Sequence, residues 1–353
     1  MIHKESHTSN WIKKVAKAHN NADEILVEKV IRALTLLEGL KESGLDFIFK
    51  GGTALMLLLP EIKRLSIDID IIMDKKPENL EKLFEKLIKE KEFTGFKEQE
   101  RKTKSKISKA HYKFFYSPVT NTRAKEEYVL LDILFEKNPY GKLLKETEIK
   151  SPFIKTDGKK LTTRIPAEEA ILGDKLTAYA PNTTGVRYNS EKEIEIIKQL
   201  YDIGNLFDQI NNMASVKSIF NQIGKTELAY RELTELTHES ILEDIYQTSL
   251  CLSLRGQDGQ GNFSELQTGI QNIVNFIISE NFHIEKAITH ASKAAYLSVL
   301  IKKDIAEIKR YGSPADITEI IIASPFNTKL NKLKKSNPEA FFYWYHATSL
   351  LKP

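Results

Sequence analysis

Between residues 65 and 73 the chain alternates. Leu65, Ile67, Ile69, Ile71 and Met73 fall on one side and Ser66, Asp68 and Asp70 on the other, which is the period of a β-strand. Two aspartates at i and i+2 share one strand face and repel each other unless a cation lies between them. The segment therefore predicts a sheet with a carboxylate-bearing face, and it points to a divalent metal. Hard oxygen donors from two or three carboxylates, with the remaining positions left to water and phosphate, suit Mg²⁺, with Mn²⁺ as the alternative. A plain solvated strand face carries the same alternation.

Asp132 narrows the choice. It interrupts the apolar run Tyr128–Phe135, with Leu130 and Leu134 as its same-face neighbours, and a carboxylate there needs a partner or a metal. If this strand lies beside the first, Asp68, Asp70 and Asp132 converge, enough to hold two metals across an in-line displacement at phosphorus. An edge-strand aspartate bonded to a backbone N–H is the simpler alternative. Upstream, the short strand Phe47-Ile48-Phe49 runs into Gly51-Gly52-Thr53 and a helical turn or two ended by Pro60. Glycines and a hydroxyl at a helix mouth favour an anionic phosphate. Gly224-Lys225-Thr226 looks like the end of a P-loop, but Ile219 stands where that motif needs glycine and no strand precedes it, so it is set aside.

Helix-period stripes at 22–43 and 79–93 interleave with strands near 101–117 and 128–135 through about residue 165. From Pro166, placed to open a helix, the pattern turns helical: 167–180, 191–209, 227–253, 264–308 in pieces and 327–350. Two domains are expected, residues 1–165 and 166–353. The turn-forming loop 181–190 and the polar loop Gly256–Asn262 are expected to move. The C-terminal block Phe341–His346 fits core packing of the last helix better than a base-stacking platform.

A single cysteine, Cys251, and no Cys/His zinc spacing fit a reducing cytoplasm. The start of the chain lacks a signal-like apolar stretch, and no window approaches the ~18 apolar residues of a bilayer span. Net charge is +4, from 52 basic against 48 acidic residues, too slight to prove a nucleic-acid partner. Only 9 of the basic residues are arginine, the bidentate reader of phosphate, so Arg64 and Arg187 are candidates to clamp phosphate or RNA, the latter on a lid-like loop. The run Arg101, Lys102, Lys104, Lys106, Lys109 and Lys113 reads as a charged, aggregation-resistant edge strand or as a basic RNA track.

Lys50-Gly51-Gly52-Thr53-Ala54-Leu55, followed by Arg64-Leu65-Ser66-Ile67-Asp68-Ile69-Asp70, resembles the signature of the DNA polymerase β-type nucleotidyltransferases, specifically the AbiEii/MenT toxin branch. Gly173-Asp174-Lys175-Leu176 and Leu200-Tyr201-Asp202-Ile203 match two later family helices, and the resemblance covers roughly residues 25–210. It implies an α+β fold, a polymerase β-like domain with a mixed sheet flanked by helices, followed by an α-helical domain that closes the cleft. It implies NTP and Mg²⁺ as substrate and cofactor, transfer to RNA, tRNA 3′ ends in particular, a block of translation, and a neighbouring antitoxin. Carried over by residue, Asp68 and Asp70 bind metal, Gly52 and Thr53 hold phosphate with Gly51 at the same corner, Ser66 stands beside the metal, Lys175 meets the triphosphate, and Asp202 is a catalytic carboxylate. Read from the residues alone, Lys175 equally fits a lysine snorkelling out of the stripe Leu172, Leu176 and Tyr179, and Asp202 a pair with Lys198.

The expected reaction is attack of an RNA 3′-hydroxyl on the α-phosphate of an NTP, with release of pyrophosphate and with Asp132 assisting deprotonation. Transfer to a protein or small-molecule hydroxyl, or a catalytically idle NTP sensor, are the alternatives.

Overall fold

A computed structural model describes residues 1–99 and 108–352. The first helix, α1 (Ser9–Ala18), is opened by the Thr8 hydroxyl, which accepts from Trp11 N; α2 (Glu24–Glu42) is opened by Asp23, which accepts from Ile25 N and Leu26 N. Each cap satisfies donors that the first turn leaves orphaned. There follow β1 (Ile48–Lys50), α3 (Gly51–Leu58), β2 (Ile69–Met73), α4 (Leu80–Lys91), β3 (Gly95–Glu98), β4 (Lys109–Tyr116), β5 (Glu127–Phe135), β6 (Leu144–Glu148) and β7 (Thr162–Pro166). The seven strands form one mixed sheet in the order β3-β4-β5-β2-β1-β7-β6. The pairs β2/β5 and β1/β7 are parallel and the others antiparallel. Helix α2, buried along most of its length, packs against β2, β5 and α4.

The alternating segment 65–73 splits in two. Only Ile69–Met73 joins the sheet; Lys63–Leu65 pairs instead with Phe276–Ile278, through an isolated bridge between Arg64 and Ile277. Leu65, Ile69, Ile71 and Met73 are buried as the pattern requires, whereas Ile67 is half-buried and Ile72, on the carboxylate side, is buried too; the pairing partner also changes midway. Pro166 ends β7 rather than opening a helix, and Ala167 N donates to Leu143 O before the next helix starts at Glu168. β4 and β5 are inner strands, which removes the edge-strand reading of Asp132 and, within the lysine run, of Lys109 and Lys113. Residues 101, 102, 104 and 106 of that run lie outside the described residues. Lys113 Nζ lies 4.2 Å from the Tyr128 ring centroid.

The helical half contains α5 (Glu168–Ala178), α6 (Glu193–Phe207), α7 (Met213–Tyr230), α8 (His238–Ser253), α9 (Phe263–Ile273), α10 (Ile284–Lys302), two single turns α11 (Asn327–Leu330) and α12 (Leu333–Ser336), and α13 (Pro338–Leu351). α10 is its axis, packed on α6, α8 and α13. Trp344 and Phe341 on α13 are fully buried and the Trp344 indole donates to Ser253 Oγ at 3.0 Å, so the aromatic block is core. The chain divides into two compact units: residues 1–167 together with 275–281, and residues 168–274 together with those from 282 on.

The 181–190 loop is pinned rather than loose. The buried Asp244 carboxylate accepts from Asn182 N (2.8 Å), Asn182 Nδ2 (2.6 Å) and Thr183 Oγ1 (2.9 Å), and Thr184 Oγ1 donates to Thr177 O at 2.7 Å. Burial pushes the Asp244 carboxyl up, and those same hydrogen bonds hold it back. The Gly256–Asn262 loop is held as well: Lys329 Nζ reaches Gln257 O and Asp258, and Asn262 caps α9.

Candidate active site

In the sheet unit, cross-strand register lines up four polar side chains. Lys50 on β1 is opposite Asp70 on β2, Asp70 is opposite Asp132 on β5, and Asp132 is opposite His111 on β4. Residues directly opposite each other share a face, so the row reads Lys50, Asp70, Asp132, His111 across neighbouring strands about 4.8 Å apart. His111 Nδ1 and Asp132 Oδ1 are 2.7 Å apart, with 13% and 31% of the two side chains exposed. The partner that the position of Asp132 demands is thus a histidine side chain. His111 was not among the sequence candidates; the available signal was a lone histidine between buried Ala110 and Tyr112 in an alternating strand.

The corner at the mouth of α3 explains its glycines. Gly51 has φ +80°, and a Cβ there would lie 2.1 Å from Asp70 Oδ2. Only glycine permits both the left-handed backbone and the close approach of that carboxylate. At Gly52 a Cβ would lie 2.6 Å from both Arg64 Nη2 and Ser66 Oγ. The missing side chain thus lets a guanidinium and a hydroxyl come close to the first turn of a helix whose N-cap, Lys50, makes no side-chain cap hydrogen bond. Helix mouths of this kind favour anions. Arg64 is 7% exposed, and its Nη1 donates to Leu65 O at 3.0 Å.

Thr53 is fully buried and its hydroxyl donates to Asp68 O at 2.6 Å, so it ties α3 to the residue that leads into β2. Asp68 lies just before that strand. Among the described residues no three His, Cys, Asp or Glu side chains are gathered closely enough to hold a metal by themselves. The expected convergence of Asp68, Asp70 and Asp132 is therefore not a ready-made three-ligand set: Asp70 and Asp132 stand opposite each other on neighbouring strands, and Asp68 lies two residues before Asp70.

In the helical unit, Lys175 on α5 and Asp202 on α6 form a buried ion pair, with Nζ 2.7 Å from Oδ2. Lys175 Nζ also donates to Gln199 Oε1 at 3.1 Å. Lys175 does not snorkel to solvent, and Lys198 reaches Glu195 at 2.8 Å. Arg187 is exposed on the pinned loop.

Residues 35–255 match the family described as the nucleotidyl transferase AbiEii toxin of a type IV toxin–antitoxin system. The chain belongs to the AbiEii nucleotidyltransferase toxin family. This AbiEii chain is accordingly a nucleotidyltransferase, and its activity is nucleotidyl transfer by a toxin. Membership of the family implies an NTP substrate and a cognate antitoxin. No curated protein matches the sequence. Among solved structures, it is similar to MenT4, a nucleotidyltransferase toxin of Mycobacterium tuberculosis, at 14% identity, covering 80% of this chain and 89% of that one with a TM-score of 0.48. It is also similar to JHP933 of Helicobacter pylori, at 16% identity, 86% and 95% coverage and a TM-score of 0.44. Likenesses at these scores add nothing to the family assignment. No helix among the described residues is long and apolar enough to cross a membrane.

Proposed function

We propose that this toxin transfers a nucleoside monophosphate from an NTP to the 3′-hydroxyl of RNA, with tRNA as the acceptor, and so blocks translation. The observation that carries the reading is the row Asp70–Asp132 beside the Gly51-Gly52 corner. Two carboxylates beside a glycine corner flanked by Arg64 and Ser66 support phosphate chemistry at this place. Arg64, Ser66 and the first turn of α3 bind the triphosphate of the NTP. Asp68, Asp70 and Asp132 are the residues that would hold Mg²⁺, which when bound supplies Lewis-acid stabilisation of charge on the phosphate oxygens. Asp132, held at one oxygen by His111, assists deprotonation of the attacking hydroxyl. The Thr53 hydroxyl, fully buried and donating to Asp68 O, fixes the approach to β2 rather than holding phosphate as the resemblance implies. Lys175, ion-paired with Asp202, is the helical unit's own candidate for contacting nucleotide.

The acceptor is tested by incubating the protein with Mg²⁺, each α-labelled NTP in turn and total bacterial RNA. Label in a tRNA-sized band is the expected result. Label in protein or in a small molecule, with none in RNA, would replace the acceptor, and NTP binding without any transfer would make the chain a sensor.

A further inference from the structure

Seven residues from the far side of the sequence belong to the sheet unit. Asn275–Asn281 follows α9 and precedes α10, yet clusters with residues 1–167. It lies beyond residues 35–255, where the family match ends. Its backbone pairs with the segment that carries Arg64: Leu65 N donates to Phe276 O at 2.7 Å and Ile278 N to Lys63 O at 3.3 Å, with Arg64 bridged to Ile277 between them. Two side chains fasten the strap. Ser279 Oγ donates to Lys63 O at 3.1 Å, and Asn20 Nδ2 donates to Ile278 O at 2.6 Å.

Residues 63–65 join none of the seven strands. Their extended backbone takes its pairing from this strap, and Leu65 is fully buried, so its N–H needs the partner that Phe276 provides. Arg64 sits at the centre of that pairing, and its guanidinium lies against Gly52, with Nη2 2.6 Å from where a Cβ would stand. An extended backbone fixes the direction in which a side chain leaves it, so the strap sets where the guanidinium points.

We infer that Asn275–Asn281 is a positioning strap for nucleotide binding: it holds Lys63–Leu65 so that Arg64 stays over the Gly52 corner, and it thereby sets affinity for the triphosphate. This rests on the reading of that corner as the triphosphate site. Asn20 and Ser279 are positioning residues that touch no nucleotide themselves.

The test is a double-mutant cycle read by equilibrium binding. Each of the four NTPs, and inorganic tripolyphosphate as the part they share, is titrated with Mg²⁺ into the wild type, Arg64→Ala, the pair Asn20→Ala/Ser279→Ala, and the triple variant. Circular dichroism and thermal melting report whether each is folded. The expected result is a Kd raised several-fold by Arg64→Ala, a smaller rise in the strap pair, and no further rise when the strap pair is added to Arg64→Ala. Wild-type Kd in a folded strap pair, or a strap effect that persists in full without Arg64, overturns the strap. Wild-type Kd in Arg64→Ala overturns the phosphate role of the corner itself, a distinct outcome. Should the strap pair fail to fold, Ser279→Ala alone carries the comparison.

Discussion

The Lys175 ammonium and the Asp202 carboxylate lie 2.7 Å apart with 8% and 4% of their side chains exposed. Removing one member of such a pair strands a charge in a poorly solvated interior, which typically costs about 3–5 kcal/mol, whereas replacing both with apolar residues is often neutral. Lys175→Met and Asp202→Leu are each expected to lower the urea midpoint markedly, and the double variant to recover most of the loss while staying inactive in transfer. Single variants with wild-type midpoints would show that the pair is not buried as described.

Gly52→Ala is expected to abolish NTP binding while the protein still folds, because its Cβ would enter the space occupied by Arg64 Nη2 and Ser66 Oγ. Gly51→Ala carries in addition the left-handed backbone cost of about 1–2 kcal/mol. Thermal melts should therefore separate the two, with Gly51→Ala the less stable.

His111 secures one oxygen of Asp132. His111→Asn keeps an N–H donor near the position of Nδ1, while His111→Phe keeps only the ring. Loss of a residue that orients a functional carboxylate commonly costs 10–100-fold in activity. The expected order of kcat is wild type, then His111→Asn, then His111→Phe, with the melting temperature of the last close to wild type. Equal rates in all three would remove His111 from the site.

His290 on α10 is stacked on Tyr201, next to Asp202, and burial, with Lys293 adding to it, pushes its pKa down to about 3. An unfolded histidine titrates near 6.5. Between those values the unfolded chain binds a proton that the native chain refuses, so stability falls as pH drops below 6.5, by up to about 1.4 kcal/mol per pH unit for this group. His7, also pushed down to about 3 by burial, adds to the slope. Urea denaturation of the wild type and of His290→Gln at pH values from about 6.5 to about 4.5 should show a shallower slope in the variant. An identical slope would contradict the buried, neutral imidazole.

Asp244→Ala strips the 181–190 loop of the acceptor for Asn182 and Thr183. Leaving buried donors unpaired costs about 1–3 kcal/mol, and limited proteolysis should then cut within 181–190 in the variant and spare that loop in the wild type.

The features legible in the sequence were those whose meaning is local. The Gly51-Gly52 corner and the aspartates at 68 and 70 lie within 20 residues of one another, and alternation gives the face of Asp70 on β2. Asp132 was legible because a carboxylate inside an apolar run is costly, although its neighbour, His111, is 21 residues earlier in the chain and only the sheet order makes them meet. The strap on Arg64 left no trace in the pattern: Ser279 and Lys63 are 216 residues apart, and an Ile-Ile pair before a serine is compatible with many surroundings. The loop at 181–190 misled for the same reason, since its turn-forming composition is visible and the distant aspartate that pins it is not.

The most direct test of the Asp70–Asp132 row replaces each carboxylate by its isosteric amide. Asp70→Asn and Asp132→Asn, verified as folded by circular dichroism, are compared with the wild type for transfer of α-labelled nucleotide to RNA in Mg²⁺. Loss of transfer by at least about 100-fold in both, with the fold intact, is the predicted result. Transfer at the wild-type rate in either folded variant would contradict the assignment of this row as the catalytic centre.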